Sequence, residues 1–290
     1  MLPRSKKTAF SAFVGIDQTG AIRSRRGVVV ARPLEAALLR PDAQDPARWR
    51  LESMRLDSVS QSEIRRAVGP VPLARVALAL DCVFGLPSEV GLGQGSLWEL
   101  MRSTHETGPG APAYGMEAAE RYFKRFGVRA ARLPTRSCEK LARANSVFVT
   151  RPFQKNIQTG TFRIWKDLAQ TARWANVWPF DLPELGGRPL SAAPWVFEGF
   201  PSLLWRELLG SRTRDPRALP RILRARFPEI RVKDPSGLAA NPDRADAAVL
   251  AVGAWALQRA QALRIPFPGF LRTPELACEG WIMGLKAPTE

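Results

Sequence analysis

Three short apolar runs in this chain each end on a carboxylate. Phe13-Val14-Gly15-Ile16 runs into Asp17, Val76-Ala77-Leu78-Ala79-Leu80 into Asp81, and Trp195-Val196-Phe197 into Glu198. Runs this short read as core strands, and Val76–Leu80 offers apolar side chains to both faces of a sheet. A fourth acid, Asp246, stands near the start of a helix rich in Ala, Val, Leu and Trp. A carboxylate at the end of a core element is costly to bury alone. It pairs, takes up a proton or holds a metal ion.

The order of elements narrows the fold. Ala12–Asp17, Gly27–Ala31 and Trp49–Leu56 read as strands, with Gly20 and Arg23–Arg26 forming a hairpin connection between the first two. Gln61–Val68 reads as a helix and Val76–Asp81 as a buried strand stopped by Gly85 and Pro87. Trp195–Glu198 is again a strand, followed by a helix over Ser202–Leu209 and a basic stretch from Arg212 to Lys233. The last helix starts at Asn241, a good N-cap, with Pro242 where its missing N–H costs nothing. This order predicts an α/β fold with a mixed sheet flanked by helices, its leading strands antiparallel and its later strands parallel. It is the layout of ribonuclease-H-like domains and of the related actin-like ATPase halves.

The middle third differs. Gly, Pro, Thr and Ser cluster at 103–115, helical pieces follow at Met116–Phe126, Cys138–Ala144 and Trp165–Trp174, and a Pro/Gly-rich linker spans Trp178–Pro194. Residues 10–100 and 191–290 are thus expected to form the core, 101–190 a mostly helical insert, and 1–9 a basic frayed terminus.

Ligands of open sheets bind beyond the carboxyl ends of parallel strands, which is where Asp17, Asp81 and Glu198 are expected. Asp243 and Asp246 are three apart and share one side of the last helix. The helix dipole alone accounts for Asp243. It does not account for Asp246, which lies on the apolar stripe of Ala247, Leu250, Ala254 and Leu257. The expected catalytic set is therefore Asp17, Asp81, Glu198 and Asp246, and the expected metal ligands are these four with Asp243. Clustered carboxylates raise one another's pKa unless cations neutralise them. An oxygen-only ligand set selects Mg²⁺ or Mn²⁺. Two such ions about 3.5–4 Å apart activate water and stabilise the leaving oxygen of a phosphodiester.

Other chemistries have few residues to use. His105 is the one histidine and sits in a loop-like Ser-Thr-His-Glu-Thr-Gly-Pro-Gly context, which excludes a His-rich zinc site and a double-histidine mechanism. Cys82, Cys138 and Cys278 form no closely spaced pair, so a reduced, cytoplasmic setting is expected. The longest apolar stretch, Ala245–Leu257, contains Asp246 and is shorter than the ~18 residues of a membrane span.

The chain carries 43 Lys and Arg against 27 Asp and Glu, a net charge of +16, which points to a polyanionic partner. Arg121, Lys124 and Arg125 fall in one basic group, and Arg212, Arg214, Arg221 and Arg224 in another. Both are expected to contact nucleic-acid phosphates, with Trp165, Trp174 and Trp178 available for base stacking.

The blocks VGIDQTG (14–20), ALDCVFGLP (79–87), QKNIQTGTFRIW (154–165), VFEGFPSLLWREL (196–208), PDRADAAVLAVGAWAL (242–257) and EGWI (279–282) occur in the order seen in a known family. Together they resemble the predicted ribonuclease-H-like nucleases catalogued as domain of unknown function 429. The resemblance implies a ribonuclease-H-like fold and metal-dependent nuclease activity. It places Asp17 and Asp81 on the family's first two acidic strand positions, Glu198 on the acid before the short helix, and Asp243 and Asp246 on the acids of the final helix. The chain lacks the Gly-Trp that follows the first acid in many members. Two rival expectations are an actin-like nucleotide-binding kinase or ATPase, with Asp17-Gln18-Thr19-Gly20 cradling phosphate, and a non-catalytic nucleic-acid-binding protein on a nuclease scaffold.

Overall fold

The computed structural model describes residues 9–17, 22–25, 28–88, 97–105, 135–146, 155–169 and 172–287. Its centre is β1 (Ala12–Asp17), in which every residue is buried. β1 pairs antiparallel with β4 (Leu34–Pro41) and parallel with β6 (Val76–Leu80). β4 continues antiparallel into β5 (Trp49–Leu56), and β5 pairs parallel with β9 (Ile230–Val232). On the other side β6 pairs parallel with β8 (Trp195–Glu198), which pairs parallel with β7 (Asn176–Val177). The result is a mixed sheet in the order β7-β8-β6-β1-β4-β5-β9.

Two details depart from the expected strands. Val28–Ala31 (β3) pairs only with Ile22–Arg25 (β2), as a separate hairpin, and is not the second strand of the main sheet. That place belongs to Leu34–Pro41, whose Leu-Glu-Ala-Ala-Leu-Leu sequence favours helix by composition and forms a strand because both its edges are paired. The basic stretch after Arg212 contributes β9 to the sheet edge.

Helices cover both faces. α1 (Gln61–Val68) agrees with the expected bounds, and with α2 (Leu97–His105) and α4 (Lys155–Ala169) it packs on the face of Val14, Ile16, Leu78 and Leu80. α3 (Ser137–Ala142), α5 (Pro201–Glu207), α6 (Leu219–Arg226), α7 (Pro235–Ala239), α8 (Pro242–Arg259) and α9 (Leu276–Glu279) belong to the other side, where Phe13, Ala37, Ala79 and Phe197 point. Parts of the expected insert are therefore built into the core. Ile164, Trp165 and Leu168 of α4 pack on the sheet, and β7 lies at its edge. The expected helix Met116–Phe126 lies outside the described residues. Among the described residues no helix is long and apolar enough to cross a membrane.

One contact sets the height of α8 above the sheet. A Cβ built on Gly15 would stand 1.9 Å from the carbonyl oxygen of Ala247 and 2.6 Å from the amide of Ala251. Only glycine lets the helix backbone come this close to β1. The small residues Ala247, Ala248 and Ala251 complete the fit. The start of α8 is fixed as the sequence predicts, with Asn241 Oδ1 accepting from the amides of Asp243 (2.9 Å) and Arg244 (3.2 Å).

A candidate active site at the carboxyl ends of the strands

β1, β6 and β8 run parallel, so Asp17, Asp81 and Glu198 arrive at one end of the sheet. Register then separates them. Ile16, Leu80 and Glu198 stand side by side, while Asp17 and Asp81 each come one residue later. Side chains alternate between faces along a strand. Asp17 and Asp81 therefore continue the row of Phe13, Gly15, Ala77 and Ala79 beneath α8, whereas Glu198 belongs to the opposite row.

Asp17 and Asp81 meet side by side at the strand ends, each carboxyl acting on the other. Burial, then the charges of Asp81, Asp246 and Asp243, hold the Asp17 carboxyl well above its ordinary range. Burial also raises Asp81, and its side-chain contact with Asp17 opposes that. Asp246 comes down from α8 onto the pair, 8% exposed, and is raised chiefly by burial. Its Oδ1 accepts from Trp205 Nε1 at 2.7 Å and its Oδ2 from Arg214 Nη1 at 2.8 Å. Asp243, half-buried one turn earlier, is raised by burial and by Glu35. All four line one crevice of about 470 Å³, with Arg214 at the same wall.

Glu198, expected as a ligand, lines the same crevice and is held there in a buried ion pair. Arg136 Nη1 donates to its Oε2 at 2.8 Å, Arg136 Nη2 holds its Oε1, and the Phe84 amide adds a bond to Oε2 at 2.7 Å. Burial pushes its pKa up and the Arg136 charge opposes that. Both oxygens are used, so Glu198 forms the floor of the crevice. Arg136, fully buried, also bonds Glu139 and the carbonyls of Phe84 and Glu279. It ties the start of α3 to β8 and to α9.

Glu35 is a site-building residue that the sequence reading missed. It stands directly opposite Asp17 in the β1–β4 register. It accepts from Arg55 Nε (2.9 Å), Arg244 Nε (3.1 Å) and Asn241 Nδ2 (3.3 Å), and so clamps the start of α8 over the strand ends. The signal was present, since Glu35 interrupts an apolar run as the other acids terminate theirs. Trp205 was likewise inside a quoted block without an assigned role.

The basic residues do not form one surface. Arg214 lies in the crevice, whereas Arg224 lines a separate hollow of about 250 Å³ with Arg48 and Arg231. That hollow sits by the first residues of β5 and β9, at the end of the sheet away from Asp17. Arg212 and Arg221 are exposed. Arg121, Lys124 and Arg125 lie outside the described residues. Trp165, Trp174 and Trp178 are buried in the core, where Trp165 Nε1 bonds the Val83 carbonyl and Trp178 stacks on Phe270, so none offers a face to a base.

The donor set suits a hard divalent cation. Adjacent buried carboxylates repel each other, and a proton or a cation between them relieves that repulsion, so a divalent ion could take that place. As the side chains stand, no group of three Asp, Glu, His or Cys among the described residues is drawn tightly around one point. Asp17 and Asp81 meet, while the oxygens of Asp246 are turned to Trp205 and Arg214. No protein-family model, curated protein or solved structure matches this chain.

Proposed function

We propose that this crevice is the active site of a divalent-metal-dependent nuclease on a ribonuclease-H-like core. The observation that carries the reading is the convergence of Asp17 and Asp81, at the ends of two adjacent parallel strands, with Asp246 from α8 in one crevice. Asp17 and Asp81 would hold Mg²⁺ or Mn²⁺ between them, with Asp246 and Asp243 completing the oxygen set. Such an ion supplies activation of water and charge stabilisation at a phosphodiester.

The chain's own residues do the rest. Trp205 Nε1 fixes one oxygen of Asp246 and so the rotation of that carboxylate. Glu35 holds the start of α8 in place through Arg244 and Asn241. Arg214 brings an exposed cation to the wall of the crevice, where a phosphate group must enter. The net charge of +16 favours nucleic acid as the polyanion. The described residues hold one large sheet, and no duplicated half supports the actin-like alternative.

The test is cleavage of labelled single-stranded and duplex DNA, RNA and hybrid with Mg²⁺ or Mn²⁺. Activity that needs the cation and falls by about a thousandfold or more in Asp17→Asn and Asp81→Asn is expected. No cleavage by the parent, or undiminished cleavage by both variants, overturns the reading.

A further inference from the structure

Asp246 has two unlike partners. Trp205, on Oδ1, is buried to 1% exposure within the core. Arg214, on Oδ2, is an arm from the connection between α5 and α6, and its side chain is 52% exposed. The base of that connection is anchored, because the Ser211 amide bonds the Trp205 carbonyl at 2.9 Å. One oxygen is thus held by the core, and the other by a long flexible side chain with solvent behind it. The Arg214 charge reaches further than this bond, since it also lowers the pKa of Asp81 and Asp243.

We propose that Arg214 is an exchangeable counter-cation of the site: it neutralises Asp246 until a divalent ion binds, then releases it and takes a phosphate oxygen of the substrate at the crevice mouth. The inference rests on the nuclease reading above and deepens it. An ion pair with one exposed partner contributes little to stability, so breaking it is cheap. A guanidinium and a divalent ion compete for the same carboxylate oxygen, and like charges repel. The freed fork has the shape to bind phosphate in a bidentate manner. Trp205 stays in place through the exchange, so Asp246 keeps its aim.

The proposal predicts effects of opposite sign from one substitution. Mn²⁺ binding is measured by calorimetry on the full chain, and binding of a labelled single-stranded oligonucleotide by anisotropy with Ca²⁺ replacing Mn²⁺. Arg214→Gln is expected to bind Mn²⁺ about threefold to fivefold tighter, the range set by a half-exposed ion pair, and to bind the oligonucleotide several-fold more weakly. Arg214→Lys keeps the competing charge and is expected to match the parent for Mn²⁺. Weakening of both ligands in Arg214→Gln means a structural role and overturns the proposal, as does an unchanged affinity for either. A parent chain that binds no Mn²⁺ overturns the nuclease reading itself. A parent that binds Mn²⁺, with Arg214→Gln no tighter, overturns only the role of Arg214.

Discussion

Arg136 Nη1 donates to Glu198 Oε2 at 2.8 Å while Nη2 holds Oε1, so guanidinium and carboxylate face each other fork to fork in the buried floor of the crevice. Removing one partner of such a pair strands the other charge. Arg136→Met is expected to cost about 3–5 kcal/mol in urea unfolding, with part of the loss restored by adding Glu198→Gln. Equal stability of the single and double variants would show that the pair is not the source of the loss.

The same pairing sets Glu198 apart from the proposed ligands. Glu198→Gln is expected to lower stability yet leave Mn²⁺ affinity within about twofold of the parent, whereas Asp17→Asn lowers it by about tenfold or more. Calorimetry on the two variants decides. A loss as large in Glu198→Gln as in Asp17→Asn would restore Glu198 to the expected ligand set.

Gly15 allows α8 to lie against β1, and through α8 it brings Asp246 to Asp17. In Gly15→Ala the new methyl meets backbone atoms of Ala247 and Ala251, which cannot rotate away. A loss of at least about 3 kcal/mol is expected, at the upper end for overpacking, seen as a lowered urea midpoint or failure to fold. An unchanged midpoint would mean that the helix lifts freely.

The raised carboxylates give the metal-free protein a defined pH response. A group with a raised folded-state pKa contributes stability that is complete below the unfolded value, near pH 4, and is lost as pH rises through the folded value. Asp17 is raised by burial and by its acidic neighbours, so its ionised form is the destabilising one. With chelator present, Asp17→Asn should melt near the parent at about pH 4 and about 3–6 °C above it at about pH 8. Saturating Mn²⁺ at the higher pH should narrow or reverse the difference by raising the parent more than the variant. A thermal scan across pH with and without Mn²⁺ measures both, and a constant offset between the proteins contradicts the coupling.

Glu35 anchors three side chains around the start of α8. Glu35→Ala leaves Arg55, Arg244 and Asn241 without that acceptor, and a loss of about 2–3 kcal/mol is expected. Because Asp243 and Asp246 ride on the same helix, Mn²⁺ affinity should fall with it, although Glu35 itself is fully paired. Hydrogen exchange should show faster opening confined to the first turns of α8. Uniform loosening of the whole chain would argue for a general stability effect instead.

Local pattern was enough for much of this protein. The apolar runs ending at Asp17, Asp81 and Glu198 formed strands, Gln61–Val68 formed its helix, and Asn241 with Pro242 opened the last one. Hydrophobic period and capping act over a few residues, so they can be read in order along the chain. Leu34–Pro41 could not be read that way, because its strand form comes from the two strands beside it.

The sequence alone determined that acids end the core strands and that an Asn-capped helix carries two more. Only the tertiary structure decided which of them meet. A one-residue difference in register sent Glu198 to Arg136, 62 positions away in sequence, and left Asp17 and Asp81 together. A missing side chain at Gly15 set how near α8 could bring Asp246, and Arg214 reached it from a separate connection. Charges and backbones pair through space, and neither register nor distance of approach is written in the residues on either side of them.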